Sequence, residues 1–363
     1  MATIYFSVMG EGRGHAARAR SMVERLRGEH RMVLFTSHDA LAFLSKEYAD
    51  DPEVEVVEIP GLRFCYTEKK LALLRTIREG LALWVRLGRH TSTLEKRLRS
   101  DRPDLVVADF EPLMPRAARR VGVPVLSLDH QHFMTTYDLS SLPLRLRWWA
   151  WAMSWAVWMF GIGQEKTVVS AFYKPPLRRG CENVTQVGPL LRPALRDRTP
   201  TRGEHLLTYL RKATPPRILD MLEGLDTPVR VYGLGPRAPR GKLTFCEISE
   251  SGFLDDLAGC DAVIAAAGNQ LLGEALYFGK PFFALPEQKH HEQCINAHFL
   301  KQMGYGDWRA IERVGADDFA AFMQNREGFR ANFANKTESF DGTEEAAAAI
   351  DAMLFSPRSM TGD

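Results

Sequence analysis

Short apolar runs alternate with longer amphipathic stretches along most of the chain. In the first half, runs at 4–8, 32–36, 54–59, 105–108 and 123–128 are rich in Val, Ile, Leu and Phe, with Gly, Pro, Asp or Ser close by. Runs this short, apolar on successive rather than alternate residues, predict strands of a parallel sheet covered on both faces. Between them, 16–27 and 72–98 carry apolar positions at helical spacing. The second half repeats the rhythm, with strands predicted at 206–210, 229–232, 243–246, 262–266 and 281–285 and helices at 218–222 and 253–257. The alternation predicts an α/β chain of two doubly wound domains, 1–190 and 191–363, joined through the Gly- and Pro-containing stretch 188–193 and the polar run 196–203. Ligands of such sheets bind beyond the carboxyl ends of the strands, so one cleft between the two domains is expected.

Residues 260–286 are the most informative stretch: an apolar strand, a turn of small residues, a helix and a second strand. Gly268 keeps side chains out of the turn, and the helix opening at Asn269 and Gln270 presents unpaired N–H groups and the positive end of its dipole, the makings of a diphosphate seat. One turn further on, Glu274 is placed to reach a ribose hydroxyl.

Three further segments end predicted strands. Gly10, Gly12 and Gly14 alternate after the first strand and lead into a helix at His15, letting backbone approach an anionic or sugar ligand. Their spacing is not G-x-G-x-x-G, and no G-x-x-x-x-G-K-[ST] occurs, which weakens dinucleotide and P-loop readings. At the start of a helix the dipole favours the neutral imidazole that a general base needs, so His15 is either a base or a structural polar contact. A base would need a carboxylate on its other nitrogen: Asp109 is the candidate and Glu111 the nearby alternative. On the same rim, Asp129 precedes His130, Gln131 and His132. Neighbours on an extended segment splay to opposite faces, so hydrogen bonding to an acceptor is expected there rather than a metal site. After the strand at 281–285, Glu292 and Gln293 open another helix, either to grip adjacent sugar hydroxyls or to cap it.

Composition adds bounds. The chain has 363 residues, 45% hydrophobic and 25% charged, enough for two cores, and its formal charge of +2 gives no argument for a nucleic-acid partner. Cys65, Cys181, Cys246, Cys260 and Cys294 form an odd set without C-x-x-C spacing, so neither a disulfide framework nor a structural zinc is expected. The N-terminal residues carry no basic region followed by a cleavable apolar stretch, so a cytoplasmic location is expected. The segment 142–163 holds Trp148, Trp149, Trp151, Trp155 and Trp158, five of the seven tryptophans, just after Arg145 and Arg147. From 148 to 163 no residue is charged, yet this is shorter than the ~20 residues needed to span a bilayer. An interfacial helix or lipid-chain groove is one reading, a buried helix or dimer contact the other. The basic run from Lys69 and Lys70 through Arg78, Arg86, Arg89, Lys96, Arg97 and Arg99 either shares that surface or is a solvated helix face.

The small-residue turn with Glu274, the Gly-Lys-Pro before the next strand, and Glu292-Gln293 with Asn296-Ala297 downstream together resemble the donor half of GT-B nucleotide-sugar glycosyltransferases, most closely the subgroup related to the peptidoglycan lipid-linked N-acetylglucosaminyltransferase. The resemblance implies two Rossmann-like domains, with Gly268, Asn269 and Gln270 on the donor diphosphate, Glu274 on the ribose, and Glu292 and Gln293 on the sugar. It makes the Gly12 and Gly14 loop acceptor-side, His15 the base, and His130, Gln131, His132 and Glu111 acceptor contacts. It departs at Glu11 and Arg13, where relatives carry smaller residues, and no base-reading motif is evident.

What this implies is an inverting glycosyltransferase that moves a sugar from a nucleotide-diphosphate donor, expected to be UDP-linked, to a hydroxyl of a lipid or hydrophobic acceptor on the cytoplasmic membrane face. No D-x-D triplet stands in a suitable place, and a helix N-terminus can stabilise the leaving diphosphate, so no metal or further cofactor is expected. The rivals are a soluble transferase acting on an apolar small molecule, a UDP-sugar 2-epimerase of the same fold, and a catalytically silent subunit bound to a partner transferase.

Overall fold

The computed structural model describes residues 1–62, 66–67, 70–71, 85–335 and 339–355. Cys65, Lys69, Arg78 and residues 72–84 of the expected helix lie outside them; the described part of that helix is Leu87–Asp101. Cys181, Cys246, Cys260 and Cys294 are free thiols.

The first sheet has seven parallel strands in the spatial order Val54–Glu58, Arg31–Thr36, Thr3–Val8, Leu105–Asp109, Val125–Asp129, Lys166–Ser170, Val184–Val187. Successive side chains of a strand point to opposite faces, and both faces here are covered. Ile4, Phe6, Val8, Leu105 and Val107 pack with Ala19 and Val23 of the helix Arg13–Leu26. Tyr5, Val33, Phe35 and Val106 pack on the other side with Leu94, Leu98, Leu113 and Ala117. Two layers of helix explain why these runs read as continuously apolar. Lys166–Ser170 and Val184–Val187 were not expected as strands; their polar members Lys166, Thr167, Thr185 and Gln186 break the apolar run on which the prediction depends.

The second sheet also has seven strands, ordered Arg237–Arg240, Leu243–Phe245, Val229–Tyr232, Leu206–Tyr209, Ala262–Ala265, Phe282–Ala284, Gly306–Trp308. All its pairings are parallel except the edge pair formed by the first two. That outer strand, Arg-Ala-Pro-Arg, is exposed throughout, and its charge and proline blunt the edge against further pairing.

Packing divides the chain into one unit of Met1–Asp138, Trp151–Leu190 and Gly342–Asp363 and another of Leu139–Ala150 and Leu191–Asp341. The chain divides between Leu190 and Leu191, but the expected extents 1–190 and 191–363 need correction in two other respects. The helix Thr343–Leu354 buries Ala346, Ala347, Ala349 and Ile350 in the core of the first unit, so the second ends at 341 rather than 363. The division also falls within the tryptophan helix Leu144–Phe160, between Ala150 and Trp151.

Leaving aside the antiparallel edge strand Arg237–Arg240, the strand order in each sheet reverses once. The reversal lies between Thr3–Val8 and Leu105–Asp109 in the first sheet, and between Leu206–Tyr209 and Ala262–Ala265 in the second. Crevices open at such points beyond the carboxyl ends of the strands, where the helix start with His15, the strand end at Asp109 and the turn at Gly268 lie.

Candidate active site

In the first unit, the glycine loop is shaped by two of its three glycines. A Cβ on Gly10 would stand 2.1 Å from Ser37 Oγ, and Gly12 has φ +90°, a conformation side chains resist. Around Gly14 there is open space. The helix Arg13–Leu26 that follows carries His15 in its first turn and Arg18 on the same face, three residues on.

Both side chains meet Asp109, the buried last residue of the neighbouring strand. His15 Nδ1 lies 2.9 Å from Asp109 Oδ1. Arg18 forks the same carboxylate, with Nη2 2.9 Å from Oδ1 and Nε 3.1 Å from Oδ2. Arg18 Nη2 is also 2.9 Å from His15 Nδ1. A guanidinium only donates, so these two contacts of Nδ1 call for opposite tautomers; we assign the imidazole proton to Nδ1, where it donates to a full carboxylate charge and leaves the lone pair on Nε2, and Arg18 then bonds to Asp109 alone. Gln131 Nε2 stands 3.5 Å from that Nε2. Asp109 is followed by Phe110, whose φ of +53° is strained for an aromatic residue; its ring packs on Phe160 and lies alongside His15.

The other residues of this rim are committed elsewhere. Glu111 accepts from the backbone N–H groups of Leu113 and Met114 and so closes the start of the helix Leu113–Val121. Burial pushes its carboxyl up to about 7, against the pull of those two hydrogen bonds and of Arg116. Burial would likewise raise Asp129, but the His132 ring 2.6 Å away, the His132 N–H and the Ser127 hydroxyl hold it down at about 2. His132 Nε2 faces Gln164 at 2.9 Å, and His130 Nδ1 donates to Ser170 O at 3.0 Å. Both histidines are buried. Gln131 is thus the one member of the His130-Gln131-His132 group with a hydrogen-bond contact to His15. Among the described residues, no cluster of His, Cys, Asp or Glu could hold a metal ion.

In the second unit, Gly268 precedes the helix Asn269–Tyr277 with φ −75°, which any residue adopts. What it contributes is space, since a Cβ there would meet nothing within 4 Å. Asn296, fully buried on the helix His291–Gln302, donates from Nδ2 to Ala267 O at 3.0 Å and braces the turn. Glu274 is buried and held by three donors: Arg192 Nε at 2.9 Å, Arg192 Nη2 at 2.7 Å and Gln270 Nε2 at 2.9 Å. Arg192 Nη1 also reaches Glu250 at 3.2 Å. Gln293 is buried, and its Oε1 accepts from Glu287 N at 3.2 Å, whereas Glu292 beside it is half-exposed.

The profile of the family described as glycosyl transferase family 1 matches residues 2–326. The chain belongs to that family. It is 25% identical over 332 residues to an uncharacterized glycosyltransferase of Methanosarcina acetivorans, covering 84% of each protein. Its fold is similar to that of Arabidopsis thaliana UGT89C1 complexed with UDP-L-rhamnose, with a TM-score of 0.70 and 13% identity over 97% of this chain and 99% of that one. Acinetobacter baumannii MurG gives a TM-score of 0.65 and 13% identity over the same shares, 97% and 99%. These likenesses show the GT-B fold, and the chain is a glycosyltransferase.

Sequence reading of this glycosyltransferase missed two arginines. Arg18 carried a signal, its i, i+3 spacing from His15. Arg192 carried none, standing 82 positions from Glu274.

The tryptophan helix of the glycosyltransferase has two faces. Leu146, Ala150, Val157 and Phe160 are buried, while Trp148, Trp151, Trp155 and Trp158 are 57%, 59%, 61% and 63% exposed. Steps of three and four residues put those four on one stripe, with exposed Leu144 at its head and Arg145 and Arg147 alongside. Trp149 points elsewhere and stacks on His291, ring centroids 3.8 Å apart. Among the described residues, no helix is long and apolar enough to cross a membrane.

Proposed function

We propose that this glycosyltransferase transfers a sugar, with inversion, from a nucleoside-diphosphate donor of the UDP type to a hydroxyl of a lipid or other hydrophobic acceptor at the cytoplasmic face of a membrane. The observation that carries the acceptor is the exposed stripe of Trp148, Trp151, Trp155 and Trp158. Four indoles on one face are costly to leave in water and suit the headgroup region of a bilayer. Arg145 and Arg147 suit an anionic leaflet, which supports the cytoplasmic side. UDP as carrier is supported by the UDP-L-rhamnose held by a protein of the same fold.

His15 Nε2 takes the proton of the acceptor hydroxyl, whose oxygen forms the new bond to the anomeric carbon as the bond to the diphosphate breaks. The imidazolium is stabilised by Asp109, 2.9 Å from Nδ1. The N-terminal turn of Asn269–Tyr277, with Gly268 leaving the approach open, receives the charge that develops on the leaving diphosphate. That stabilisation comes from backbone dipoles, so metal independence is part of the proposal. Glu292 and Gln293 are proposed for the sugar, Glu274 for the ribose, and Gln131 with the Gly12 and Gly14 loop for the acceptor.

The test is nucleotide release from a panel of UDP-, GDP- and dTDP-sugars, with and without a total lipid extract. Lipid-dependent UDP release, abolished in His15→Ala, is expected. Release of UDP without lipid alongside an isomerised sugar would replace the transferase reading of the site with an epimerase.

A further inference from the structure

A carboxylate has about four acceptor positions, two on each oxygen. On Glu274, Oε1 takes Arg192 Nε and Gln270 Nε2, both at 2.9 Å, and Oε2 takes Arg192 Nη2 at 2.7 Å. Three positions are filled and one remains, on Oε2. The fork is hard to displace. Its guanidinium is planar and bidentate, Glu250 holds a third nitrogen at 3.2 Å, and the Glu274 carboxylate has a side-chain exposure of 2%.

A ribose offers two adjacent hydroxyls. From the filled positions we infer that Glu274 reads only one of them, and that Arg192 is the positioning residue that sets this limit. Such a site discriminates between nucleotides by the single hydroxyl that it reads and is indifferent to loss of the other. Arg192 and Gln270 thereby decide whether a ribonucleotide or deoxyribonucleotide carrier is accepted. The inference rests on the reading of Glu274 as the ribose residue of a nucleoside-diphosphate site.

The decisive comparison uses the unaltered protein, with UDP, 2′-deoxy-UDP and 3′-deoxy-UDP titrated calorimetrically. One deoxy analogue is expected to bind ~10- to 100-fold more weakly than UDP, the loss of one hydrogen bond to a charged acceptor. The other is expected to bind within about threefold of UDP. Gln270→Ala frees a position on Oε1, so the tolerated analogue should now lose affinity relative to UDP. Arg192→Ala should weaken UDP and abolish discrimination, and Arg192→Lys should restore part of both. Equal losses for the two analogues in the unaltered protein, or no loss for either, overturn this inference and leave the donor reading standing. Failure of every nucleoside diphosphate to bind overturns the donor reading and this inference with it.

Discussion

His15 and Asp109 stand 94 positions apart in sequence and 2.9 Å apart in the fold, a histidine on the first turn of a helix held by the last residue of the adjacent strand. The pair orients the imidazole so that Nε2 is the basic nitrogen. Replacing His15 by Ala should lower turnover by ~10²- to 10⁴-fold, the usual contribution of a positioned base. The donor KM and the melting temperature should hardly move. Steady-state kinetics beside a thermal melt decides it, and turnover within a few-fold of the parent would remove His15 from the chemistry.

Arg18 supplies the charge that balances buried Asp109 through two hydrogen bonds of 2.9 and 3.1 Å. Arg18→Ala leaves that carboxylate without its cation and should cost ~3–5 kcal/mol, measured by urea unfolding. Adding Asp109→Asn to Arg18→Ala should recover part of the loss. Additive losses would show that the two residues do not act as a pair.

The Glu111 carboxyl sits at about 7, against an ordinary 4.5, because it is buried. Between those values the folded protein keeps the proton and the unfolded chain has lost it. Stability should therefore fall as pH rises from about 4.5 to about 7, by ~3 kcal/mol, and then level off. Glu111→Gln retains an acceptor for the helix N–H groups and should flatten this slope. Unfolding midpoints at several pH values across the window provide the measurement, and an unchanged slope in the variant would assign it to another group.

The tryptophan stripe should behave as surface. Changing Trp148, Trp151, Trp155 and Trp158 together to Ser should leave the melting temperature within a few degrees, since all four are largely exposed. Flotation with vesicles containing anionic lipid should be lost in that variant, and weakened in the parent by high salt through Arg145 and Arg147. A parent protein that stays at the bottom of the gradient would favour a soluble acceptor.

Both sheets were legible because their central strands are sandwiched between helices, so their apolar runs stand out against polar flanks. The His15 and Asp109 pairing was legible for a related reason: each ends or follows a recognisable strand, and adjacent parallel strands bring their ends together. Illegible were features fixed by tertiary packing alone. Nothing near Arg192 announces Glu274, and the alanine-rich face of Thr343–Leu354 fits any core of suitable width. Glu111 looked like a second partner for His15, yet it lies two residues before Leu113 and serves that helix start. Gly268 keeps side chains out of the turn with an ordinary φ of −75°, so the space around it, rather than its backbone, is what distinguishes it.

The return of Thr343–Leu354 to the first unit also bears on the order in which the protein takes shape during translation. Ile4 leaves the ribosome well before Ile350, yet both belong to the same core. The stretch 191–341 that makes up most of the second unit emerges complete before that last helix does. The later-made unit is thus free to close first, while the earlier-made one keeps an apolar groove open until Thr343–Leu354 has emerged, a window in which chaperones would find it.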